Sequence, residues 1–133
     1  FMSKAILHTD GGARGNPGPA GIGVVLKVGD NEKKFKKYIG ESTNNQAEYQ
    51  ALILGLTEAI KIGAEEIDCY LDSELVVKQL NNEYRVKNEG LAPLFIKVFN
   101  LKQKFKKIKF IHIFREDNKE ADKLVNEAID KAL

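Results

Sequence analysis

The sequence predicts an α/β fold built on one mixed β-sheet, and three observations carry that prediction. Segments of strand and helix pattern follow one another in the order β-β-β-α-β-α-α-β-α, which implies an antiparallel front part and parallel crossovers later. A Gly-Asp-Asn cluster at Gly29–Asn31 suits a short hairpin between the second and third strands. The chain has 133 residues, 43% of them hydrophobic and 30% charged, which is the size and composition of a single globular domain.

Each element has its own signal. Lys4–Asp10 (KAILHTD) reads as a strand that stops at glycine, and Gly11–Gly18 (GGARGNPG) reads as a loop, rich in glycine and containing a proline. Ile22–Val28 and Lys33–Ile39 read as the next two strands. Thr43–Ile62 is a helix: Thr43 and Gln46 fit a capping box, apolar residues recur at helical spacing, and Gly63 ends it. Glu66–Leu71 is a short strand, and Ser73 starts a helix running to Leu80. Leu91–Phe105 reads as a further helix, Lys107–Phe114 as a strand and Asn118–Ala132 as the last helix. Phe1 ahead of Met2 reads as a remnant of expression, so the single domain is taken as residues 2–133.

Composition excludes several classes. No apolar run approaches the ~18 residues of a membrane span, and no signal-peptide pattern is present. The single cysteine, Cys69, rules out an internal disulfide framework and a cysteine-based zinc site, so a cytoplasmic location is the expectation. The 21 Lys and Arg against 19 Asp and Glu give a net charge of only +2, which by itself does not point to nucleic acid.

Four acids stand out by position. Asp10 closes the first strand and Asp72 follows the fourth, and in open α/β sheets that edge is where ligands bind. Glu48 begins a helical stripe that continues Leu52, Gly55, Ala59 and Ile62, so it points toward the core. Asp122 begins the stripe Val125, Ile129, Ala132 in the same way. Burying carboxylates together is costly without positive charge. Hard divalent cations are one answer, and a set of acids without His or Cys favours Mg²⁺ or Mn²⁺ over Zn²⁺. From position alone, a metal site and scattered ion pairs are equal readings.

Four blocks break that tie. TDGGARGNPGPAG around Asp10, TNNQAEYQAL around Glu48, LDSELVVKQL around Asp72 and REDNKEADKL around Asp122 resemble type 1 ribonuclease H, in family order and spacing over essentially the whole chain. The resemblance implies the ribonuclease H-like fold, a five-stranded mixed sheet of order 3-2-1-4-5 flanked by helices. It implies endonucleolytic hydrolysis of the RNA strand of an RNA–DNA hybrid, leaving 5′-phosphate and 3′-hydroxyl ends. It makes Asp10, Glu48, Asp72 and Asp122 the catalytic acids, holding two Mg²⁺ ions with Mn²⁺ as a substitute. The expected partner is the RNA–DNA hybrid, with double-stranded RNA as a further substrate because the two duplexes are similar in shape. No membrane partner and a monomeric state are expected.

The same motifs supply substrate contacts. The backbone of Gly11, Gly12 and Ala13, with the side chains of Asn44 and Asn45, is the implied reader of the RNA 2′-hydroxyl. Asn44 also reads as a helix cap. Asn16 and Thr43 resemble the family's phosphate pocket for the DNA strand, and read equally as turn and cap residues. Reading GARGNPG as a nucleotide phosphate loop fails because the Gly-Lys-Ser/Thr ending is missing.

Three departures from the family pattern matter. The connection Arg115–Asn118 is short and lacks the histidine many members carry; Arg115 is a candidate substrate contact there, with an ion pair to Glu116 as the competing reading. The long basic protrusion of some bacterial relatives is absent, leaving the lysine run Lys97–Lys109 as a candidate grip if it lies beside the crevice. Glu74 stands where some relatives have glutamine, and would weaken an RNA contact or join the metal's outer shell. Tyr49 and Tyr84 are read as core residues, with stacking against sugars or bases as the competing reading, His8 as packing, and Cys69 as a buried apolar residue.

Overall fold

Five strands form one sheet in the order β3-β2-β1-β4-β5. They are β1 (Lys4–Ala13), β2 (Gly18–Val28), β3 (Asn31–Ser42), β4 (Glu66–Leu71) and β5 (Lys107–His112). The first three pair antiparallel, whereas β4 runs parallel to both β1 and β5. This is the mixed sheet and the order that the resemblance implies. The computed structural model describes residues 3–133, and the reading of Phe1 as a remnant lies outside the described residues.

Helices α1 (Asn44–Lys61), α2 (Glu74–Leu80) and α3 (Ala92–Lys102) cover one face, and α4 (Lys119–Ala132) lies on the other. The main core fills the space between the sheet and α1–α3, around Leu7, Leu26, Leu52, Leu56, Ile67 and Val98. The strand alternation explains it: Ala5 and Leu7 on β1, and Ile67, Cys69 and Leu71 on β4, all turn inward and are buried. Both expected helix starts form. Thr43 Oγ1 accepts from the Gln46 amide at 3.1 Å while Gln46 Oε1 accepts from the Thr43 amide at 3.1 Å, and Ser73 Oγ accepts from the Val76 amide at 3.3 Å.

The glycine-rich loop is shorter than expected. Gly11, Gly12 and Ala13 continue β1, pairing with Ile22, Gly21 and Ala20, so only residues 14–17 turn the chain. The ladder to β2 supplies partners for this backbone and overrides the poor strand propensity of glycine. Strand β3 likewise runs on to Ser42, opposite Gly18, and its four lysines mark it as a charged edge. Lys34 and Lys36 of that edge reach Glu120 and Glu127 of α4, each at 3.5 Å. Strand β5 ends at His112, and Arg115–Asp117 forms a 3₁₀ turn leading into α4. Tyr49 is fully buried, as expected, but Tyr84 is 49% exposed and stacks under Lys78 rather than in the core. Among the described residues, no helix is long and apolar enough to cross a membrane.

Candidate active site

The parallel pairing of β1 with β4 sets the site. Thr9 pairs with Leu71, so the residues that follow, Asp10 and Asp72, emerge side by side at the same end of the sheet. The capping box fixes the first turn of α1, and Glu48 follows one turn later on its inner face. The helix can sit close because Gly11 has no side chain: a Cβ there would overlap the Ala47 carbonyl. The Gly11 amide then donates to Glu48 Oε1. On the opposite face, a Cβ on Gly23 would strike the Ala121 carbonyl, so its absence lets α4 lie against β2. Asp122, on the first turn of α4, thereby reaches the same cleft.

The cleft has a volume of about 400 Å³ and is lined by Asp10, Gly11, Gly12, Ala13, Asn44, Asn45, Glu48, Asp72, Arg115 and Asp122. Most of the residues singled out in the sequence therefore converge. Arg14, Ser73 and Asn126 line it as well; sequence reasoning reads Ser73 only as a helix start and does not single out the other two. Arg14 sits in the glycine-rich motif, where its charge was the available signal; it pairs with Asp130 at 2.6 Å, tying the turn to α4. Asn16 and Thr43 stand behind the lining, with Asn16 Oδ1 accepting from the Asn44 amide at 3.1 Å and Asn44 Oδ1 accepting from the Ala13 amide at 2.8 Å. Two of the three expected backbone readers, Gly11 and Ala13, thus already donate within the protein. Glu74 is not in the cleft: it is exposed and pairs with Lys78 at 3.0 Å along α2.

The part of the lysine run that opens β5 is not beside the crevice. Lys107 opens β5 opposite Glu66, at the start of β4, whereas Asp72 follows the end of β4. Six strand residues separate those levels, roughly 20 Å at the usual rise. Lys106 pairs with Glu65 at 2.7 Å, and Lys102 lies over the Phe110 ring.

The acids are uncompensated. Ligand oxygens of Asp10, Glu48 and Asp72 all lie within 4.8 Å of one another. Asp10 is 7% exposed and Glu48 5% exposed. Burial first, then the charge of Asp72 and the nearness of Asp122, pushes the Asp10 carboxyl up to about 7. Burial also holds Glu48 well above the usual carboxylate range, reinforced by Asp10 and Asp72, with the Gly11 amide pulling the other way. Among the described residues, no salt bridge joins any of the four acids to a lysine or arginine. An all-oxygen donor set in which burial and mutual repulsion disfavour the charged forms of Asp10 and Glu48 fits a hard divalent cation.

A five-stranded mixed sheet with carboxylates at the ends of neighbouring parallel strands and on a facing helix defines the ribonuclease H-like class. Comparison with known proteins narrows the class. The profile of the family described as "Reverse transcriptase-like" matches residues 8–128. Ribonuclease HI of Halobacterium salinarum is 41% identical over 127 residues, which is 94% of this chain and 64% of that protein. The "Bifunctional protein Rv2228c" of Mycobacterium tuberculosis is 42% identical over 97% of this chain, yet the chain spans only 36% of its length. Among solved structures, LC11-RNase H1 in complex with RNA/DNA hybrid superposes with a TM-score of 0.91 at 47% identity, covering 96% of this chain and 98% of that one. The chain belongs to the type 1 ribonuclease H family.

Proposed function

We propose that this protein is a metal-dependent endoribonuclease that hydrolyses the RNA strand of RNA–DNA hybrids, leaving 5′-phosphate and 3′-hydroxyl ends. The observation that carries the reading is the cluster of Asp10, Glu48 and Asp72, buried or half-buried, mutually repelling and without a basic partner among the described residues. The relatives support the substrate, since one of them was solved with an RNA/DNA hybrid bound.

Asp10, Glu48, Asp72 and Asp122 would hold two Mg²⁺ ions, or Mn²⁺ in their place. Bound there, the ions would lower the pKa of the attacking water and stabilise charge on the leaving 3′-oxygen. The chain's own residues then do the rest. Asp10, facing both Glu48 and Asp72, would give up the proton that burial and the charge of Asp72 favour on it. The Gly11 amide keeps Glu48 pointed into the cluster. Asn44 and Asn45, which line the cleft from the first turn of α1, would contact the RNA sugar, and Arg14 and Arg115, which also line it, would contact phosphate. Asn16 and Thr43 support that turn from behind. We place the enzyme in the cytoplasm, acting as a monomer, with double-stranded RNA as a secondary substrate.

The test is cleavage of labelled hybrid, double-stranded RNA and single-stranded RNA side by side, in Mg²⁺, in Mn²⁺ and in EDTA. Metal-dependent cutting of the RNA strand of the hybrid is expected. The Asp10→Asn variant should lose cleavage yet keep hybrid binding, and full activity in that variant would sink the assignment.

A further inference from the structure

Asn118 breaks two local rules at once. It occupies the N-cap of α4, a position where asparagine ordinarily accepts from an amide of the first turn, yet it makes no side-chain cap. It is 2% exposed, and its Oδ1 has no partner. An uncapped helix start and an unpartnered buried acceptor both cost stability. The return is in the other half of the amide. Nδ2 donates to the Thr9 carbonyl at 2.9 Å and to Asp72 Oδ2 at 2.8 Å. Flipping the amide would set Oδ1 against those two acceptors, so the bonds themselves fix its orientation.

The position of Asn118 makes those bonds consequential. Thr9 directly precedes Asp10 on β1, and Asp72 follows β4. The Asn118 carbonyl accepts from the Asp122 amide at 3.1 Å, so the same residue anchors the turn that carries Asp122. The Asn118 side chain therefore ties together the two strand ends that bring Asp10 and Asp72 to the cleft, and its backbone carbonyl caps the turn that carries Asp122. Asp72 lies in neither a strand nor a helix: it is half-buried, follows the last residue of β4 and precedes α2.

We propose that Asn118 is a positioning residue for Asp72, fixing which carboxylate oxygen turns toward Asp10 and Glu48 and so pre-setting the cluster for its cation. The proposal rests on the reading of Asp72 as a metal ligand. Outer partners of this kind typically contribute 10–100-fold to metal affinity.

The experiment is calorimetric titration of the protein with Mn²⁺ and with Mg²⁺, for wild type, Asn118→Ala, Asp72→Asn and the double variant. Hybrid binding in EDTA and a thermal melt serve as controls for the fold. Asn118→Ala should bind metal on the order of 10–100-fold more weakly, with hybrid affinity in EDTA unchanged, and should add nothing further in the Asp72→Asn background. Asn118→Thr, of similar volume and with one donor left, keeps the test open should the alanine variant unfold; it should fall between alanine and wild type. Wild-type metal affinity in either folded Asn118 variant overturns the proposal, as does an equal loss with and without the Asp72 carboxylate. Unchanged affinity in Asp72→Asn alone would instead overturn the reading of Asp72 as a ligand.

Discussion

The Gly11 amide donates to Glu48 Oε1, joining two residues 37 positions apart in the chain. The bond exists because the backbone of α1 rests directly on β1 at a residue with no Cβ. Gly11→Ala should force the helix outward, and overpacking of this kind costs about 1–3 kcal/mol. Glu48 would move with the helix, so metal affinity should fall together with stability. Urea unfolding and a metal titration check both. A variant as stable as wild type would mean that α1 does not press on β1 as described.

Burial of the acids, with the repulsion among them, sets a second expectation. In the folded, metal-free protein the Asp10 carboxyl titrates at about 7, against 3.8 for an unconstrained aspartate. The folded state therefore binds this proton more tightly than the unfolded chain does. Its contribution to stability is complete below about 3.8, declines as pH rises toward 7 and is flat above that. Glu48 shifts in the same direction. Asp10→Asn removes the charge, so in EDTA its melting temperature should exceed that of wild type by roughly 5 °C at pH 8, with little gap at pH 4. Mg²⁺ should stabilise wild type most at high pH and so narrow the gap. Calorimetry across that range decides it, and a gap independent of pH would contradict the assignment.

Much of this site was legible because its signals are local. A carboxylate ending a strand, an acid leading an apolar helical stripe and a capping box are each visible within a few residues, and Asp10, Glu48, Asp122 and Thr43 were found that way. What could not be read depended on partners far away in sequence. Gly11–Ala13 look like loop residues until β2 pairs with them. Lys107, at the strand end of the lysine run, looks like part of a grip until the direction of β5 carries it to the far end of the sheet. Asn118 reads only as the first residue of the last helix until Thr9 and Asp72 claim its amide. Tyr84 sits in a stretch without periodicity, so nothing local said which way it would face.

The pair Tyr49 and Gln79 tests how the two helices beside the site are held. The Tyr49 hydroxyl donates to Gln79 Oε1 at 2.8 Å, and the two residues are 0% and 4% exposed. Burial pushes the phenol up to about 12, so it remains a donor at any working pH. Tyr49→Phe leaves Gln79 with an unpaired buried acceptor, which should cost about 1–3 kcal/mol. Neither group faces the cleft, so cleavage by the folded fraction should stay within about twofold of wild type, a change worth less than RT. Denaturant unfolding and initial rates at low temperature separate the two effects. A large loss of rate without loss of stability would show that the pair reaches the chemistry.

The position of the basic residues leads to a prediction about substrate grip. Arg115 is exposed in the 3₁₀ turn and lines the cleft, whereas Lys107 lies at the other end of the sheet. A side chain that neutralises one phosphate contributes roughly 0.7–0.9 to the slope of log affinity against log salt. Arg115→Ala should therefore weaken hybrid binding several-fold in EDTA and lower that slope by about 1. Lys107→Ala should leave affinity and slope unchanged on a hybrid just long enough to fill the cleft. Fluorescence anisotropy across a range of salt concentrations measures both. Equal losses in the two variants would mean that the duplex runs the length of β5, and that the lysine run, though distant from the acids, carries the grip that the missing protrusion supplies in other relatives.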